Sequence, residues 1–232
     1  MNRCLSLLIK STFFIASLSA VPALALQTQT PDSVVVPTEA AKPSYEAYVD
    51  AIKKEALAKG YSQAIIDKSF ANITFYKRAV KADRNQPEKV ETLDTYLPKR
   101  VPQWKVDKAR AKYKEHKALL TEIGKKYGVQ PRFIVALWGL ETNFGKIMGN
   151  FNVVSALTTL AYEGRREAFF KKQLWAALTI LEEGHITPDN MKGSWAGAMG
   201  QNQFMPTSFV SYAVDGDGDG KKDIWSNHAD VF

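Results

Sequence analysis

The chain has 232 residues, of which 45% are hydrophobic and 24% charged, and a formal net charge of +7 at pH 7. This is the composition of a globular protein that buries a core, and it excludes a mainly disordered chain. The positive charge favours an anionic partner, although the ordinary solubility of a basic protein explains it equally well. No nucleic-acid recognition motif accompanies the basic residues, so nucleic acid is not an expected partner.

The N-terminus has the pattern of a secretory signal peptide. Arg3 and Lys10 precede an apolar stretch over 11–20, and Ala23-Leu24-Ala25 has the small-x-small form of a signal-peptidase site. The stretch is too short, and too quickly followed by polar residues, for a convincing membrane span. We therefore predict that residues 1–25 are removed on export to the periplasm, with an uncleaved N-terminal anchor as the alternative.

The only cysteine, Cys4, lies inside this signal and before the apolar stretch, which is not the position of a lipid-attachment cysteine. The mature chain would then contain no thiol, which excludes a cysteine nucleophile, a disulfide framework and cysteine-bound zinc or iron. It would also keep a net charge of +5, from 29 basic and 24 acidic residues. Packing, with or without a metal ion, must then hold the exported fold together.

Helical signals dominate the rest of the chain. Residues 26–44 contain several Pro, Thr and Ala residues and are typical of a flexible lead-in, so the folded domain is predicted over 45–232. Residues 73–102 are less regular, and strand alternation is nowhere sustained. Besides the helix around Glu141, apolar periodicity with Ser or Gly at the ends predicts helices over 45–57, 63–70, 106–127, 153–162 and 166–181. The predicted fold class is therefore mainly α.

One carboxylate, Glu141, stands out because it ends an apolar run. Pro131 suits the first position of a helix and Asn143 suits its end, so Glu141 is predicted in the last turn. Three residues on the same helical face would give it apolar walls: Ile134, Leu137 and Trp138. A carboxyl in such surroundings loses hydration, which favours its protonated form and suits a general acid. A solvated Glu at a helix end is an alternative of equal weight.

A second informative segment, 193–214, contains no charged residue. It begins Gly-Ser-Trp-Ala-Gly-Ala-Met-Gly and mixes glycines, amides and aromatic residues. Glycines allow close approach of backbones, amides pair with hydroxyl and acetamido groups, and aromatic faces stack on sugar rings. The segment is predicted to form a carbohydrate-binding wall, and a tightly packed internal loop and helix is an equal alternative.

A third segment, 215–230, here called the aspartate loop, reproduces the first half of a calcium-binding loop. The side-chain ligands expected from the pattern are Asp215, Asp217 and Asp219. Gly220 takes the sixth position, where such loops turn sharply, and the Lys221 carbonyl would supply the seventh. Ser226 replaces the bidentate Glu expected at the twelfth position, and Asp230 is predicted to close the site instead. A solvated acidic turn is the alternative.

In combination, these motifs resemble the lytic murein transglycosylase B family. The resemblance rests on Trp138-Gly-Leu-Glu-Thr-Asn-Phe-Gly145, Lys192-Gly-Ser-Trp-Ala-Gly-Ala-Met-Gly200, Gln203-Phe-Met-Pro206 and the aspartate loop, in that order. It covers nearly the whole chain after the signal. It implies a lysozyme-like helical fold with an EF-hand-like calcium loop. It also implies cleavage of the β-1,4 bond between N-acetylmuramic acid and N-acetylglucosamine in peptidoglycan, with formation of a 1,6-anhydro end.

The resemblance also implies roles for individual residues. Glu141 matches the family's catalytic acid and base. One carboxylate suffices in this family because the substrate's own 6-hydroxyl, rather than water, attacks the anomeric carbon. The aspartate loop matches the family's calcium site, with Asp230 as the late carboxylate ligand. The positions that match the glycan-binding cleft are Ser194, Gln203, Phe204, Arg165 and Arg166.

The chain departs from the family pattern in two places. It stops just after the aspartate loop, where the family continues through further helices, so we expect a truncated catalytic lobe. Gln201-Asn202 stands where relatives often carry an aromatic residue and glycine. The expected partner is the glycan strand of peptidoglycan, bound by a monomer. Two alternatives remain: a hydrolytic muramidase, for which Glu163 is the nearest second carboxylate, and a non-catalytic peptidoglycan-binding homologue.

Overall fold

The part of the chain described by the computed structural model comprises residues 42–85 and 91–232, and it is mainly α-helical, as the sequence predicts. Its helices are α1 Tyr45–Ala58, α2 Gln63–Phe70, α3 Lys77–Arg84, α4 Leu93–Arg100, α5 Gln103–Glu115, α6 Lys117–Tyr127, α7 Pro131–Thr142, α8 Val153–Glu163, α9 Glu167–Glu182, α10 Pro206–Tyr212 and α11 His228–Val231. Two short strands, β1 Phe151–Asn152 and β2 Lys192–Gly193, pair antiparallel with Phe151 opposite Gly193.

The predicted signal peptide, 1–25, lies outside the described residues, as does the predicted lead-in up to residue 41. Among the helices from Tyr45 onward, none combines the length and the apolar character that a membrane crossing requires.

Several helix ends follow the sequence signals. Ser62 Oγ accepts a hydrogen bond from the backbone N–H of Ile65 at 3.3 Å and so caps α2. Gly128 ends α6 in the left-handed conformation, with φ 68°, which glycine adopts without strain. The helices predicted over 45–57, 153–162 and 166–181 are confirmed as α1, α8 and α9, each to within one residue.

The prediction that 73–102 is less regular than the rest is wrong for two parts of it, which form α3 and α4. In α3 only Ala79 and Asp83 are buried, and in α4 no residue is buried and Pro98 lies inside the helix. Neither helix therefore carries the apolar periodicity by which an amphipathic helix is recognised in a sequence.

The helix predicted over 106–127 is divided at His116 into α5 and α6. The ring of His116 packs edge-on against Trp138 and Phe232, with centroid distances of 5.6 and 5.3 Å. These partners are distant in sequence, and neither Pro nor Gly marks the break. Tertiary packing, which no local pattern reveals, therefore ends one helix and begins the next.

Two hydrophobic clusters organise the part of the chain that is described. The larger is built mainly from α1, α2, α8 and α9, and the segment 193–206 packs against it through Met199 and Phe204. The smaller contains Leu120, Val135, Trp138, Phe144 and Val231. The C-terminal end of α7 contacts the segment 193–206, since Thr142 Oγ1 donates a hydrogen bond to the Gln201 carbonyl at 2.9 Å.

Candidate functional site

Glu141 lies in the last turn of α7, as the sequence predicts, and faces a pocket of about 350 Å³. Pro131 takes the first helical position, and Asn143 ends the helix in the left-handed conformation with φ 52°. We call the cavity the Glu141 pocket. Its other lining residues come from α7, from 201–204 and from the end of the chain: Ile134, Leu137, Trp138, Gln201, Asn202, Phe204, Val231 and Phe232.

The apolar walls predicted for Glu141 are present, but they do not dehydrate its carboxyl. Ile134, Leu137 and Trp138 all line the pocket. Trp138 is only 4% exposed, whereas Leu137 is 59% exposed and Glu141 itself is exposed. The prediction that the carboxyl loses its hydration is therefore wrong, because Leu137, one of the residues beside it, is largely exposed to solvent. A carboxyl that water reaches is also accessible to a ligand.

Glu141 is the only acidic residue among the described residues that line this pocket. Glu163, the second carboxylate considered from the sequence, lies at the end of α8. There its side chain accepts a hydrogen bond from Arg84 Nε at 2.8 Å, and it does not line the pocket. Ordinary glycosidases place two carboxyls on either side of the scissile bond. The Glu141 pocket contains one carboxyl among its described lining residues.

The uncharged segment 193–206 is folded back on itself. Ser194 Oγ accepts hydrogen bonds from the backbone N–H groups two and four residues later, at 3.3 and 3.0 Å. The backbones of Gly149 and Gly193 approach so closely that a Cβ on Gly149 would overlap the Gly193 carbonyl. The segment is thereby held against the loop that follows α7. The sequence allows two interpretations of this segment, a packed internal loop and a carbohydrate-binding wall. The folded arrangement is compatible with both.

Gln203 and Phe204 have different environments within this segment. Gln203 donates from Nε2 to the carbonyls of Met148 and Gly200, at 3.1 and 3.0 Å, so its amide ties the segment to the loop after α7. Phe204 is the only one of the residues predicted to bind glycan that lines the Glu141 pocket. Ser194 and Gln203 thus shape the segment, and their contact with a glycan stays a prediction.

Three residues other than glycine have a positive φ in the described ranges, and each lies within three positions of a residue that lines the Glu141 pocket. Asn143, Phe144 and Gln203 have φ values of 52°, 61° and 51°. The Phe144 ring is 6% exposed and packs edge-on against Trp138 with a centroid distance of 5.4 Å. Packing therefore holds a backbone conformation that side chains other than Gly and Asn adopt only at a cost.

Arg165 and Arg166, which the resemblance assigns to the glycan cleft, lie outside the Glu141 pocket, between α8 and α9. Arg165 Nε donates to Oδ2 of Asp83 at 2.7 Å, and Arg166 Nη2 donates to Oδ1 of the same carboxylate. Asp83 belongs to α3 and is 2% exposed. The hydrogen bond from Arg165, supported by Arg166, keeps the pKa of Asp83 below its ordinary value. Glycan binding by the two arginines stays a prediction.

We expect Asp83→Asn to lower the free energy of unfolding by about 1–3 kcal/mol, because two guanidinium groups lose the carboxylate that balances their charge. The loss is smaller than for a fully buried pair, since the two arginine side chains are 49% and 38% exposed. The native pKa of Asp83 is lowered, so its contribution is complete above about pH 5 and disappears as pH falls through the native pKa. Urea unfolding at pH 7 and pH 3 measures this, and an equal difference at both pH values would contradict it.

Sequence reasoning missed several members of the Glu141 pocket. Val231 and Phe232 contribute apolar surface from the end of the chain, and Asn202 Nδ2 donates to the Val231 carbonyl at 2.6 Å. Two apolar residues after an acidic loop form no recognisable pattern. The sequence marks Gln201 only as a departure from the family pattern, yet the residue is buried, at 6% exposure. An amide directly after a glycine-rich run is the one signal that could have identified it.

The aspartate loop brings three of its predicted ligands together. One carboxylate oxygen from each of Asp215, Asp217 and Asp230 lies within 4.8 Å of the others. Asp230 is 9% exposed, and its carboxylate accepts hydrogen bonds from the backbone N–H groups of Gly216 and Asp223 at 2.7 and 2.6 Å. Asp230 thus lies where the sequence predicts a closing ligand.

A further predicted ligand, Asp219, lies outside this group of three carboxylates. Asp219 Oδ1 accepts a hydrogen bond from the backbone N–H of Lys221 at 2.8 Å. Metal binding by Asp219 and by the Lys221 carbonyl stays a prediction.

The charge of the three-carboxylate group fits a hard divalent cation. Burial raises the pKa of Asp230, whereas backbone N–H groups, that of Gly220 above all, lower the pKa of Asp215. Within the described ranges, no ion pair with Lys, Arg or His neutralises Asp215, Asp217 or Asp230. Converging carboxylate oxygens without a protein counter-ion are the donor set that Ca²⁺ prefers.

Comparisons with known proteins agree with these features. Residues 44–232 match the transglycosylase SLT domain family. Membrane-bound lytic murein transglycosylase B of Escherichia coli (strain K12) is 44% identical over 100 residues, which are 43% of this chain and 28% of that protein.

The chain also resembles solved structures. SltB3 from Pseudomonas aeruginosa, in complex with NAG-NAM-pentapeptide, is 45% identical with a TM-score of 0.78, over 81% of this chain and 50% of that chain. The Escherichia coli lytic transglycosylase Slt35 in complex with calcium is 29% identical with a TM-score of 0.70, over 83% of this chain and 60% of that chain. The chain thus spans half the length of SltB3 and 28% of the curated relative.

Proposed function

Because this chain belongs to the transglycosylase SLT domain family, we propose that it cleaves the β-1,4 bond between N-acetylmuramic acid and N-acetylglucosamine in peptidoglycan and leaves a 1,6-anhydro end. The observation that carries this proposal is a single carboxylate, Glu141, in an open pocket shared with Trp138 and Phe204. The relatives support the substrate, since SltB3 has been solved with NAG-NAM-pentapeptide and with NAG-anhNAM-pentapeptide. The proposed enzyme is a carbon-oxygen lyase.

Glu141 acts first as an acid and then as a base. Its proton passes to the glycosidic oxygen as the bond between that oxygen and the anomeric carbon breaks, with assistance from the substrate's N-acetyl group. The 6-hydroxyl of the same sugar then bonds to the anomeric carbon and gives its proton to the Glu141 carboxylate, which regenerates the acid. Water is not a reactant. The intramolecular attack benefits from proximity, so a second carboxylate is not required.

Substrate binding supplies the dehydration that the free pocket lacks. Leu137 is 59% exposed beside the carboxyl, and Phe204 lines the same pocket. A sugar ring that covers these two side chains removes water from around Glu141. Exclusion of water strengthens the hydrogen bond to the glycosidic oxygen and prevents hydrolysis of the reacting sugar.

The remaining glycan contacts extend the proposed cleft beyond Glu141. The Ser194 hydroxyl and the Gln203 carbonyl oxygen can hydrogen-bond to sugar hydroxyl and acetamido groups. Arg165 and Arg166 are partly exposed beside Asp83 and would contact the substrate at a distance from the reacting bond. These roles come from the family resemblance, and the partial exposure of the two arginine side chains, 49% and 38%, supports theirs.

Calcium binding by the aspartate loop is the second part of the proposal. Asp215, Asp217 and Asp230 would hold the ion, with Asp219 and the Lys221 carbonyl as further ligands of an EF-hand-like loop. The solved complex of Slt35 with calcium supports this assignment. The ion would neutralise the carboxylates and fix the loop, and no step of the proposed reaction requires it.

The proposed setting is the periplasm. The chain would lose residues 1–25 on export and act as a monomer on glycan strands, with 45–232 as a lysozyme-like catalytic domain. The name of the Escherichia coli relative, a membrane-bound enzyme, keeps an N-terminal anchor as the alternative. Fractionation of cells that produce the full chain, with the mature N-terminus determined by sequencing, separates the two.

Digestion of purified sacculi tests the proposed activity. We expect soluble muropeptides with 1,6-anhydro ends, which mass spectrometry distinguishes because each is one water lighter than the corresponding reducing-end product. Products with reducing ends would instead identify a hydrolytic muramidase. Retention of the protein on sacculi without any product would identify a non-catalytic binding protein, and either result contradicts the proposal.

A further inference from the structure

Gln201 is a buried amide that connects the end of α7 with the segment that follows the acidic half of the aspartate loop. The residue is 6% exposed. Its backbone N–H, its backbone carbonyl, its Oε1 and its Nε2 each have a partner in another part of the fold. Buried polar groups that are all satisfied specify one local arrangement, because any shift leaves at least one of them unpaired.

Two of these bonds hold α7 on either side of Glu141. Trp138 Nε1 donates to Gln201 Oε1 at 2.7 Å, and Thr142 Oγ1 donates to the Gln201 carbonyl at 2.9 Å. Trp138 lies three residues before Glu141 and Thr142 one residue after it, and these two donors are 4% and 0% exposed. One residue thus fixes the turn of α7 that presents the carboxyl to the pocket.

The other two bonds fix Gln201 itself. Its backbone N–H donates to the Ile224 carbonyl at 2.8 Å, and its Nε2 donates to the Trp225 carbonyl at 2.9 Å. Both carbonyls directly follow Asp223, whose N–H donates to Asp230. The end of α7 is therefore connected through Gln201 to the loop that carries the proposed metal ligands.

The loop after α7 packs closely against the Gln201 amide. A Cβ at Gly145 would overlap Gln201 Oε1, and the backbone N–H of Gly145 donates to Thr142 Oγ1 at 3.0 Å. The chain therefore turns away from α7 directly over the amide, and this turn requires the glycine, whose φ is 77°.

We propose that Gln201 is a positioning residue for Glu141. It acts through Trp138 and Thr142, which it holds in place, and it transfers no proton itself. The inference rests on the proposed role of Glu141 as the acid. A displacement of about 1 Å at a catalytic group costs on the order of 100-fold in rate. Loss of the amide is therefore expected to act on kcat more than on KM.

The principal test is Gln201→Leu, which removes both side-chain hydrogen bonds with little change in volume. We expect kcat for release of anhydro products from isolated glycan strands to fall about 100-fold while KM stays within about threefold. The indole N–H resonance of Trp138 should also move in a ¹H–¹⁵N spectrum, because this donor loses its acceptor.

The matched control is Gln173→Leu. Gln173 is also buried, at 3% exposure, and its Oε1 accepts hydrogen bonds from the backbone N–H and Oγ1 of Thr207, at 3.0 and 3.1 Å. It belongs to α9 and does not line the Glu141 pocket. Gln173→Leu should destabilise the fold to a similar degree but leave kcat and the Trp138 resonance unchanged.

A folded Gln201→Leu variant with wild-type kcat would overturn the proposal, as would equal losses of kcat in the two Leu variants. Glu141→Gln in the same assay separates this failure from failure of the proposed function. If Glu141→Gln is as active as the wild type, Glu141 is not the acid, and the positioning role proposed for Gln201 is excluded as well. If Glu141→Gln is inactive, the Gln201 variants report on positioning alone.

Gln201→Glu keeps the proposal testable if the Leu variant does not fold. The carboxyl still accepts from Trp138 Nε1, but only its protonated form can donate to the Trp225 carbonyl. The ratio of variant to wild-type kcat should therefore fall as pH rises. A ratio that is constant across the pH range would overturn the proposal.

Discussion

Glu141→Gln is expected to slow the release of anhydro muropeptides from sacculi by about 10²- to 10⁴-fold, the range typical of a lost general acid-base catalyst. Gln has nearly the same shape and still forms hydrogen bonds, but it can neither donate nor accept the catalytic proton. The aromatic residues of the pocket, Trp138, Phe204 and Phe232, are unchanged. Binding of the variant to sacculi, measured by co-sedimentation, should therefore stay close to that of the wild type.

Glu182→Gln is the matched control for this experiment. Glu182 ends α9 much as Glu141 lies near the end of α7, and its Oε2 accepts a hydrogen bond from Ser62 Oγ at 3.0 Å, which a Gln carbonyl oxygen can also accept. We expect it to keep the wild-type rate. Release of muropeptides by Glu141→Gln at the wild-type rate would exclude Glu141 as the acid.

Removal of calcium is expected to lower the melting temperature of the protein by roughly 5–10 °C. An ion bound only by the folded state, at 100 times its dissociation constant, contributes about 2.7 kcal/mol of stability. In a domain of this size each kcal/mol shifts the melting temperature by about 2–4 °C. Thermal unfolding in excess calcium and in chelator measures the difference. Magnesium should substitute poorly, because the loop offers many protein oxygens and Mg²⁺ retains its waters.

Single substitutions locate the ion. Asp217→Ala should abolish the response to calcium, because it removes one of the three converging carboxylates, whereas Asp50→Ala on the surface of α1 should leave it intact. Asp219→Ala distinguishes two sets of ligands. Full loss would make Asp219 a ligand, as the spacing predicts, and a retained response would restrict the carboxylate ligands to Asp215, Asp217 and Asp230. An identical melting temperature in calcium and in chelator would contradict the site altogether.

The features that the sequence predicts best are those encoded within a few residues. Pro131 and Asn143 bound α7 because each residue favours one backbone conformation at a helix end, and this alone places Glu141 in the last turn. The spacing of Asp215 and Asp217 similarly fixes a tight loop. The position of Asp230 beside them is a further inference, because Ser226 replaces the Glu that such loops carry at their twelfth position.

The features that could not be predicted depend on contacts between distant residues. Arg165 pairs with Asp83, which lies 82 positions earlier in a helix that the sequence pattern did not reveal. The exposure of Glu141 depends on the solvent exposure of its neighbour Leu137, and helical spacing alone does not determine that exposure. In the sequence Gln201 is an ordinary polar residue. Its burial and its hydrogen bonds with Trp138 and Thr142 arise only in the folded chain.

The positive φ values at Asn143, Phe144 and Gln203 limit how this protein can be made more robust. A left-handed conformation costs about 1–3 kcal/mol at a residue other than glycine, and Asn tolerates it best. Glycine at Phe144 would relieve that cost but would remove the ring packed on Trp138. Thermostability engineering that relaxes this turn would therefore loosen the helix end that presents Glu141. Stabilising substitutions are better placed in α1, α2 and α9, where they leave the turn as it is.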